Sequence, residues 1–211
     1  MQNKFLIEAF QTPDAVSQTL LPYFSRLSKD PYVDSDVRFR SYARFAIDTE
    51  GEIMRLPHKA FMQSSDVNRV VGDVERHFAP MDDGMVTLPE FAHLLRSFTA
   101  ATRLEHTGGE LDVHQIRVTC SAQDTSAPAP EGIHQDGFRF VGIFCVQRQN
   151  IAGGFTQIFT SPVEQHPHLN TVLEPNQFVI IDDQRYYHHI SETLSSESGQ
   201  EGVRDVLVFT A

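Results

Sequence analysis

The chain has 211 residues, of which 40% are hydrophobic and 21% are charged, and its formal net charge is −11. This composition is typical of a folded protein with enough apolar material for a core. The acidic balance argues against nucleic acid and anionic membranes as partners, because both attract clustered Lys and Arg. Residues 1–10 lack the apolar region of a secretory signal, and no apolar run is long enough to span a bilayer. Cys120 and Cys145 have apolar neighbours, which favours reduced thiols in a cytoplasmic protein.

The N-terminal part of the sequence predicts a helix followed by a strand. Thr12-Pro13 places proline in the first turn of a helix, and Pro22 should split the apolar stripe that continues beyond it. The alternating segment Arg38–Ile47 predicts a strand, which ends before the turn signal Glu50-Gly51.

Two further helices are predicted before residue 110. The first follows Ser65 and extends to Phe78, on the helical spacing of its valines. After a loop at 81–84, the second begins at Thr87, whose hydroxyl would form a capping box with Glu90. Its buried face is predicted from four side chains at helical spacing, namely Phe91, Leu94, Leu95 and Phe98.

From about Val113 onward the pattern changes to short apolar segments separated by Gly, Pro and Asn. The clearest segments are 113–120, 138–146, 154–159, 177–181 and 203–210. Because no helical pattern separates them, they predict an antiparallel sandwich or barrel rather than a parallel sheet. We therefore expect one domain over residues 1–211. Its helix-rich part, 1–110, would buttress a mainly β core, 111–211.

The tripeptide His134-Gln135-Asp136 lies between a Pro-rich loop and an apolar strand. On an extended segment, His134 and Asp136 face the same way and could bind one ion together. A second histidine, distant in sequence, would complete the 2-His-1-carboxylate triad of non-haem Fe(II) oxygenases. His188 and His189 are the candidates for this position. The spacing does not choose between them, although adjacent strand residues face opposite ways.

An arginine near the C-terminus gives the second functional signal. Arg204 shares a strand face with Val206 and Val208, so its guanidinium is expected inside the fold, where it needs an anionic partner. One candidate partner is a carboxylate of the chain, from Asp182 or Asp183. The other is the distal carboxylate of a 2-oxoacid cosubstrate bound to the iron.

Four segments together resemble the bacterial 2-oxoglutarate/Fe(II) dioxygenases related to L-isoleucine dioxygenase. They follow one another through the C-terminal half, at Pro130–Gly137, Arg148–Gly154, Asp182–His188 and Gly202–Thr210. The resemblance implies a double-stranded β-helix (jelly-roll) core with flanking helices.

The same resemblance implies a site and a reaction. It implies that His134, Asp136 and His188 hold Fe(II) and that Arg204 anchors 2-oxoglutarate. Where the family has a small or polar residue after the distal histidine, this chain has His189. The implied reaction consumes O2, releases succinate and CO2, and hydroxylates or sulfoxidises a free aliphatic L-amino acid such as isoleucine, leucine or methionine.

A free amino acid needs a partner for its carboxylate. Arg117, which precedes the loop ahead of the triad, is the first choice and Arg148 the second, whereas Arg139 faces away by alternation. Phe138 shares a face with the metal pair and is expected to contact core and substrate. The alternatives are a carrier- or peptide-tethered substrate, an inactive jelly-roll binding module, and a zinc hydrolase, in which Arg204 would have no role.

Overall fold

The computed structural model describes residues 7–33, 36–65, 72–121, 126–129, 131–197 and 199–211. The strands are β1 (Ile7–Gln11), β2 (Arg38–Ile47), β3 (Ile53–Arg55), β4 (Ala79–Pro80), β5 (Gly109–Cys120), β6 (Phe140–Gln149), β7 (Ile151–Gly153), β8 (Thr156–Phe159), β9 (Leu169–Thr171), β10 (Gln177–Asp182), β11 (Tyr187–Ile190), β12 (Thr193–Ser195) and β13 (Gly202–Thr210). The helices are α1 (Asp14–Leu20), a 3-10 helix (Leu21–Arg26), α2 (Asp83–Val86), α3 (Pro89–Thr102) and α4 (Leu104–Thr107).

The strands form one large sheet and two small ones. The eight-stranded major sheet has the order β1-β10-β6-β13-β5-β2-β3, and β4 pairs with β2 beside this path. Every pairing along the path is antiparallel. The smaller sheets have the orders β11-β8-β9 and β12-β7. This architecture confirms the predicted jelly-roll core, and the five predicted C-terminal strands are all present.

Alternation along the strands gives the major sheet two apolar faces. One face packs against α1 and α3, where the Phe98 and Phe209 rings stack with their centroids 5.6 Å apart. Gly142 permits this approach, because a Cβ there would lie 2.9 Å from the Phe98 ring. Truncating Phe98, which is fully buried, would cost about 3–5 kcal/mol. The opposite face lines the interior of the jelly roll with Ile116, Val141, Ile143, Val206 and neighbouring side chains.

The N-terminal predictions are confirmed where the local signal is strong. α1 follows Pro13, and the chain changes to a 3-10 helix at Leu21, next to Pro22. β2 has the predicted bounds, and it pairs with β5 inside the major sheet. Residues before 110 therefore supply strands to the core as well as helices against it.

The predicted helix between Ser65 and Phe78 is wrong where the structure describes it. Residues 66–71 lie outside the described residues, and 72–78 are not helical. Instead, Phe61 and Arg76 form an antiparallel bridge with backbone hydrogen bonds of 2.9 and 2.8 Å. Tertiary packing of these two side chains overrides the helical spacing of the valines.

The start of α3 also differs from its prediction. Its N-cap position is Leu88, with Pro89 in the first turn, so the Thr87–Glu90 capping box is wrong. The Thr87 hydroxyl instead donates to the Asp83 carbonyl at 3.0 Å, because the expected loop already contains α2. Among the described residues, no helix is long and apolar enough to cross a membrane.

Candidate active site

The structure brings His134, Asp136 and His188 together. One ligand atom from each lies within 4.8 Å of the others. Asp136 is central, with Oδ1 3.7 Å from His134 Nε2 and Oδ2 3.5 Å from His188 Nε2. The two histidines also pair through their backbones, with N–H···O distances of 3.0 and 2.8 Å. This bridge holds two segments that are distant in sequence in one fixed register.

Each histidine has an oxygen atom close to its other ring nitrogen. His134 Nδ1 lies 2.8 Å from the Gly132 carbonyl, and His188 Nδ1 lies 3.3 Å from Asp183 Oδ1. Both Nε2 atoms therefore remain available to a metal, in the arrangement common around metal-binding imidazoles. Asp183 is almost fully buried and also accepts hydrogen bonds from the Asp136 and Gly137 amides at 2.9 and 3.0 Å. The sequence offered Asp183 only as a partner for Arg204.

The geometry distinguishes His188 from its neighbour. His188 is buried within the cluster, whereas His189 is not one of the clustered ligands, and its Nδ1 lies 3.1 Å from the Gly132 carbonyl. The two candidate ligands have different surroundings because adjacent residues on β11 point in opposite directions. Of the two, His188 is the residue whose ring lies beside Asp136.

The cluster is strongly coupled electrostatically. Burial opposes the charged form of His188, but hydrogen bonds and charge from Asp136 and Asp183 outweigh it and raise the pKa of His188 to about 10. Burial likewise opposes ionisation of Asp136, but His188 and His134 hold its pKa well below the usual range. A cation that binds here must therefore displace the proton of His188. Two imidazoles and one carboxylate fit Fe(II).

Arg204 is buried inside the fold, and no described acidic side chain lies within ion-pair distance of it. It is 3% exposed, and its Nε and one terminal nitrogen have no hydrogen-bond partner in the described part of the chain. The anticipated internal ion pair is not formed, because Asp182 lies beside Arg185 and Asp183 beside His188. An orphaned, buried guanidinium fits an anionic ligand such as the distal carboxylate of 2-oxoglutarate.

Arg148 lies next to Arg204 and does not border the cavity beside the triad. The two residues are opposite each other on β6 and β13, beyond a register shift in that pairing. Arg148 donates to the Gly153 carbonyl at 2.9 Å. Gly154 has a φ of +64°, and a Cβ there would lie 3.0 Å from Arg148 Nη1 and 3.6 Å from Arg204 Cδ. Glycine at this position leaves space beside both guanidinium groups.

Arg117 is not brought to the site, which corrects its assignment as the substrate's carboxylate partner. It forms a two-point ion pair with Asp205, at 2.8 and 2.7 Å, and Asp205 is fully buried. Its neighbours Ile116 and Val118 belong to the interior cluster. Since side chains alternate along β5, Arg117 faces the opposite side of the sheet.

Phe138 lies one layer away from the cavity. Its ring is 6.3 Å from that of Phe61, nearly parallel, and it packs against an aromatic cluster with Tyr42 and Phe78. Phe61 borders the cavity and Phe138 does not. The ring therefore supports the lining instead of forming it.

A cavity of about 100 Å³ adjoins the triad. Its apolar wall consists of interior strand residues, including Ile116, Val141, Ile143, Ile190 and Val208. Its polar wall contains Arg38, Arg40, Arg76, His114, Gln63 and Glu131. Sequence reasoning did not single out the three arginines or His114. The available signal was the Arg-x-Arg alternation in β2, which places Arg38 and Arg40 on one strand face.

Residues 21–210 match the model of a family described as 2OG-Fe dioxygenase. A bsmA homolog from Methylobium petroleophilum PM1 is similar with a TM-score of 0.85 and 24% identity, over 98% of this chain and 88% of that one. IDO from Bacillus thuringiensis has a TM-score of 0.74 and 19% identity, over 93% of this chain and 81% of that one. The Fe(II)/α-ketoglutarate-dependent dioxygenase TqaL has a TM-score of 0.64 and 15% identity, over 94% of this chain and 74% of that one. Among curated proteins, none matches this sequence significantly.

Proposed function

The chain belongs to the 2OG-Fe dioxygenase family, and we propose that it oxygenates a free aliphatic L-amino acid, such as isoleucine, leucine or methionine. Iron and 2-oxoglutarate supply the oxidising chemistry with O2, and succinate and CO2 are released. His134, Asp136 and His188 would hold the metal, and Arg204 the distal carboxylate of 2-oxoglutarate. The substrate class rests on the resemblance of the triad segments to relatives of L-isoleucine dioxygenase.

One observation carries the proposal, namely that the cavity at the triad has a cationic wall and an apolar wall. Arg40 and Arg76 on one side suit a carboxylate, and Val141 and Ile143 on the other suit an aliphatic side chain. The cavity volume of about 100 Å³ suits a small molecule. Glu131, which borders the same cavity, is an acidic group that can accept hydrogen bonds from the substrate's ammonium.

The chain's own contribution is to bind and orient the substrate. A carboxylate held on the arginine wall would direct the aliphatic side chain along the apolar wall towards the triad. Fixing the reacting bond in this way lowers the entropic part of the barrier. The apolar side chains also exclude water from the reacting centre, which limits side reactions.

A mass-spectrometric screen tests the proposal. The Fe(II)-loaded protein is incubated with 2-oxoglutarate, O2 and each free L-amino acid in turn, and both succinate and an added oxygen atom are followed. We expect succinate coupled to oxygenation of one or more aliphatic amino acids. Succinate without an oxygenated free amino acid would refute the substrate class and favour a tethered residue. No succinate from iron-loaded protein would favour an inactive binding module.

A further inference from the structure

We propose that Arg40, Arg76 and His114 form an anion subsite that binds the substrate's carboxylate, with His114 acting as a neutral hydrogen-bond donor. The inference rests on the proposed function, since it assigns the recognition elements of that same cavity. All three residues border the cavity that contains the triad. None of them was expected from the sequence to contact a ligand.

These side chains come from three segments of the chain and meet on one wall of the cavity. Arg40 and His114 face the interior from β2 and β5, where Arg40 pairs with Ile116 and Tyr42 with His114. Arg76 reaches the same wall from its bridge to Phe61. The subsite is therefore built by tertiary structure and not by a local motif.

The subsite holds positive charge that the described residues balance only in part. Asp30 lies 3.5 Å from Arg38 and forms an ion pair with that guanidinium. Neither Arg40 nor Arg76 has an acidic side chain within ion-pair distance among the residues described, and Arg76 is 3% exposed. Burial and the neighbouring Arg38 lower the pKa of Arg40 to about 9, so it stays charged near neutrality. Positive charge that is this poorly solvated favours an anionic ligand.

Among the described residues, the acidic groups that border this cavity are Asp136 and Glu131. Asp136 attracts both arginines electrostatically, but its carboxylate would also be the counter-charge of the metal. Glu131 borders the same cavity and offsets part of the charge of Arg76. A substrate with one carboxylate and one ammonium would complement this distribution, since each of its charges then meets the opposite sign.

The hydrogen bonding of His114 fixes its tautomer. Arg40 Nε can only donate, and it lies 3.2 Å from His114 Nδ1, so Nδ1 must accept and the ring proton is on Nε2. Nε2 is buried without a partner in the part of the chain that the structure describes. The ring is held between Tyr42 and Phe61, each with its centroid 4.6 Å away. His114 therefore presents one fixed, unused donor.

Arg76 connects the subsite to the metal segment. Its guanidinium lies 4.8 Å over the Phe61 ring, and one terminal nitrogen donates to Gln63 Oε1 at 2.6 Å. Gln63 Nε2 in turn donates to the Asp136 carbonyl at 2.8 Å. Arg76 Nε is buried and has no partner among the described residues. A carboxylate bound there would be positioned relative to the metal ligands by a chain of direct hydrogen bonds.

A binding comparison tests the subsite. Calorimetry is performed on the anaerobic Fe(II) holoenzyme saturated with 2-oxoglutarate, which occupies Arg204. The probes are 4-methylpentanoate and 4-methylpentanamide, which differ in charge but hardly in shape. We expect the carboxylate to bind at least about tenfold more tightly than the amide. In Arg76→Gln and in His114→Phe this preference should fall to about threefold or less. Arg26→Gln, the same change at an exposed arginine outside the cavity, should keep it.

The tautomer is tested on the unsubstituted protein, so folding of the variants does not limit the result. Nitrogen-15 spectra of the histidine rings should show His114 as neutral with its proton on Nε2. A proton on Nδ1, or a charged ring at pH 7, would overturn its role. Equal binding of carboxylate and amide by the holoenzyme, or a preference unchanged in both variants, would overturn the subsite.

The two proposals fail in distinguishable ways. If no free amino acid is oxygenated but the carboxylate preference depends on Arg76 and His114, the proposed substrate class falls and the subsite stands. If aliphatic amino acids are oxygenated while both variants keep the preference, the subsite falls and the proposed function stands.

Discussion

Replacing Asp183 with asparagine should weaken iron binding without unfolding the protein. One Asp183 oxygen accepts from the Asp136 and Gly137 amides, and the other lies 3.3 Å from His188 Nδ1. Asparagine keeps an acceptor for the two amides. Its NH2 group would then face His188 Nδ1–H, so that two donors meet. The imidazole must either turn or move its proton to Nε2, the atom that the metal needs.

The expected magnitude follows from the role of such outer partners of metal-binding histidines. Their loss typically reduces metal affinity about 10–100-fold, which corresponds to about 1.4–2.7 kcal/mol. The dissociation constant of Fe(II) is measured anaerobically by competition with a chelator, for the wild type and for Asp183→Asn. Thermal melts show whether each protein is folded.

Asp182→Asn is the matched control. Asp182 is the adjacent residue and is also largely buried, but its carboxylate lies beside Arg185 and touches no proposed metal ligand. Its iron affinity should stay close to that of the wild type. An Asp183→Asn protein that binds iron within about twofold of the wild type would refute the positioning role of Asp183.

Three further changes should have separate effects. Arg204→Gln should raise the KM for 2-oxoglutarate at least about thirtyfold, about 2 kcal/mol, and should abolish the preference for 2-oxoglutarate over 2-oxopentanoate, which lacks the distal carboxylate. Arg117→Gln should leave the KM values unchanged but lower the free energy of unfolding by about 3–5 kcal/mol, because Asp205 is left buried and unpaired. Iron affinity should rise as pH increases towards 10, because binding displaces a proton from His188, whose pKa is about 10. The same proton stabilises the iron-free protein fully below about pH 6.5, and this contribution is lost as pH rises through about 10.

Each of these expectations has a contradicting result. Steady-state kinetics in which Arg204→Gln still discriminates strongly between the two oxoacids would show that another residue reads the distal carboxylate. Denaturant melts in which Arg117→Gln is as stable as the wild type would show that the Arg117–Asp205 ion pair does not stabilise the fold. Calorimetry at pH 8 that detects no proton release on metal binding would contradict the raised pKa of His188.

Local periodicity was sufficient for much of the fold and for part of the site. Alternation predicted β2 and β13 and placed Arg204 on the interior face, and the His134-x-Asp136 spacing predicted two ligands on one side. These features depend on residues close in sequence, where strand geometry alone fixes direction. The spacing alone left His188 and His189 open, and the structure distinguishes them through the backbone bridge to His134, which no local pattern encodes.

The errors have equally specific causes. Arg117 was chosen for its place before the triad loop, although the apolar neighbours Ile116 and Val118 already indicated that it faces the other side of β5. The valines near 70 follow a helical spacing, yet Arg76 belongs to a bridge that forms only when Phe61 is in place. Arg76 and His114 meet through tertiary structure, so sequence spacing gave no signal for them.

The adjacent histidines of β11 give the most direct test of the metal site. Succinate release is measured for His188→Ala and His189→Ala at saturating Fe(II), 2-oxoglutarate and substrate, with melts to show that both proteins fold. We expect His188→Ala to release no succinate and His189→Ala to remain active. Full turnover by folded His188→Ala, or a loss confined to His189→Ala, would contradict the assignment of His134, Asp136 and His188 as the iron ligands.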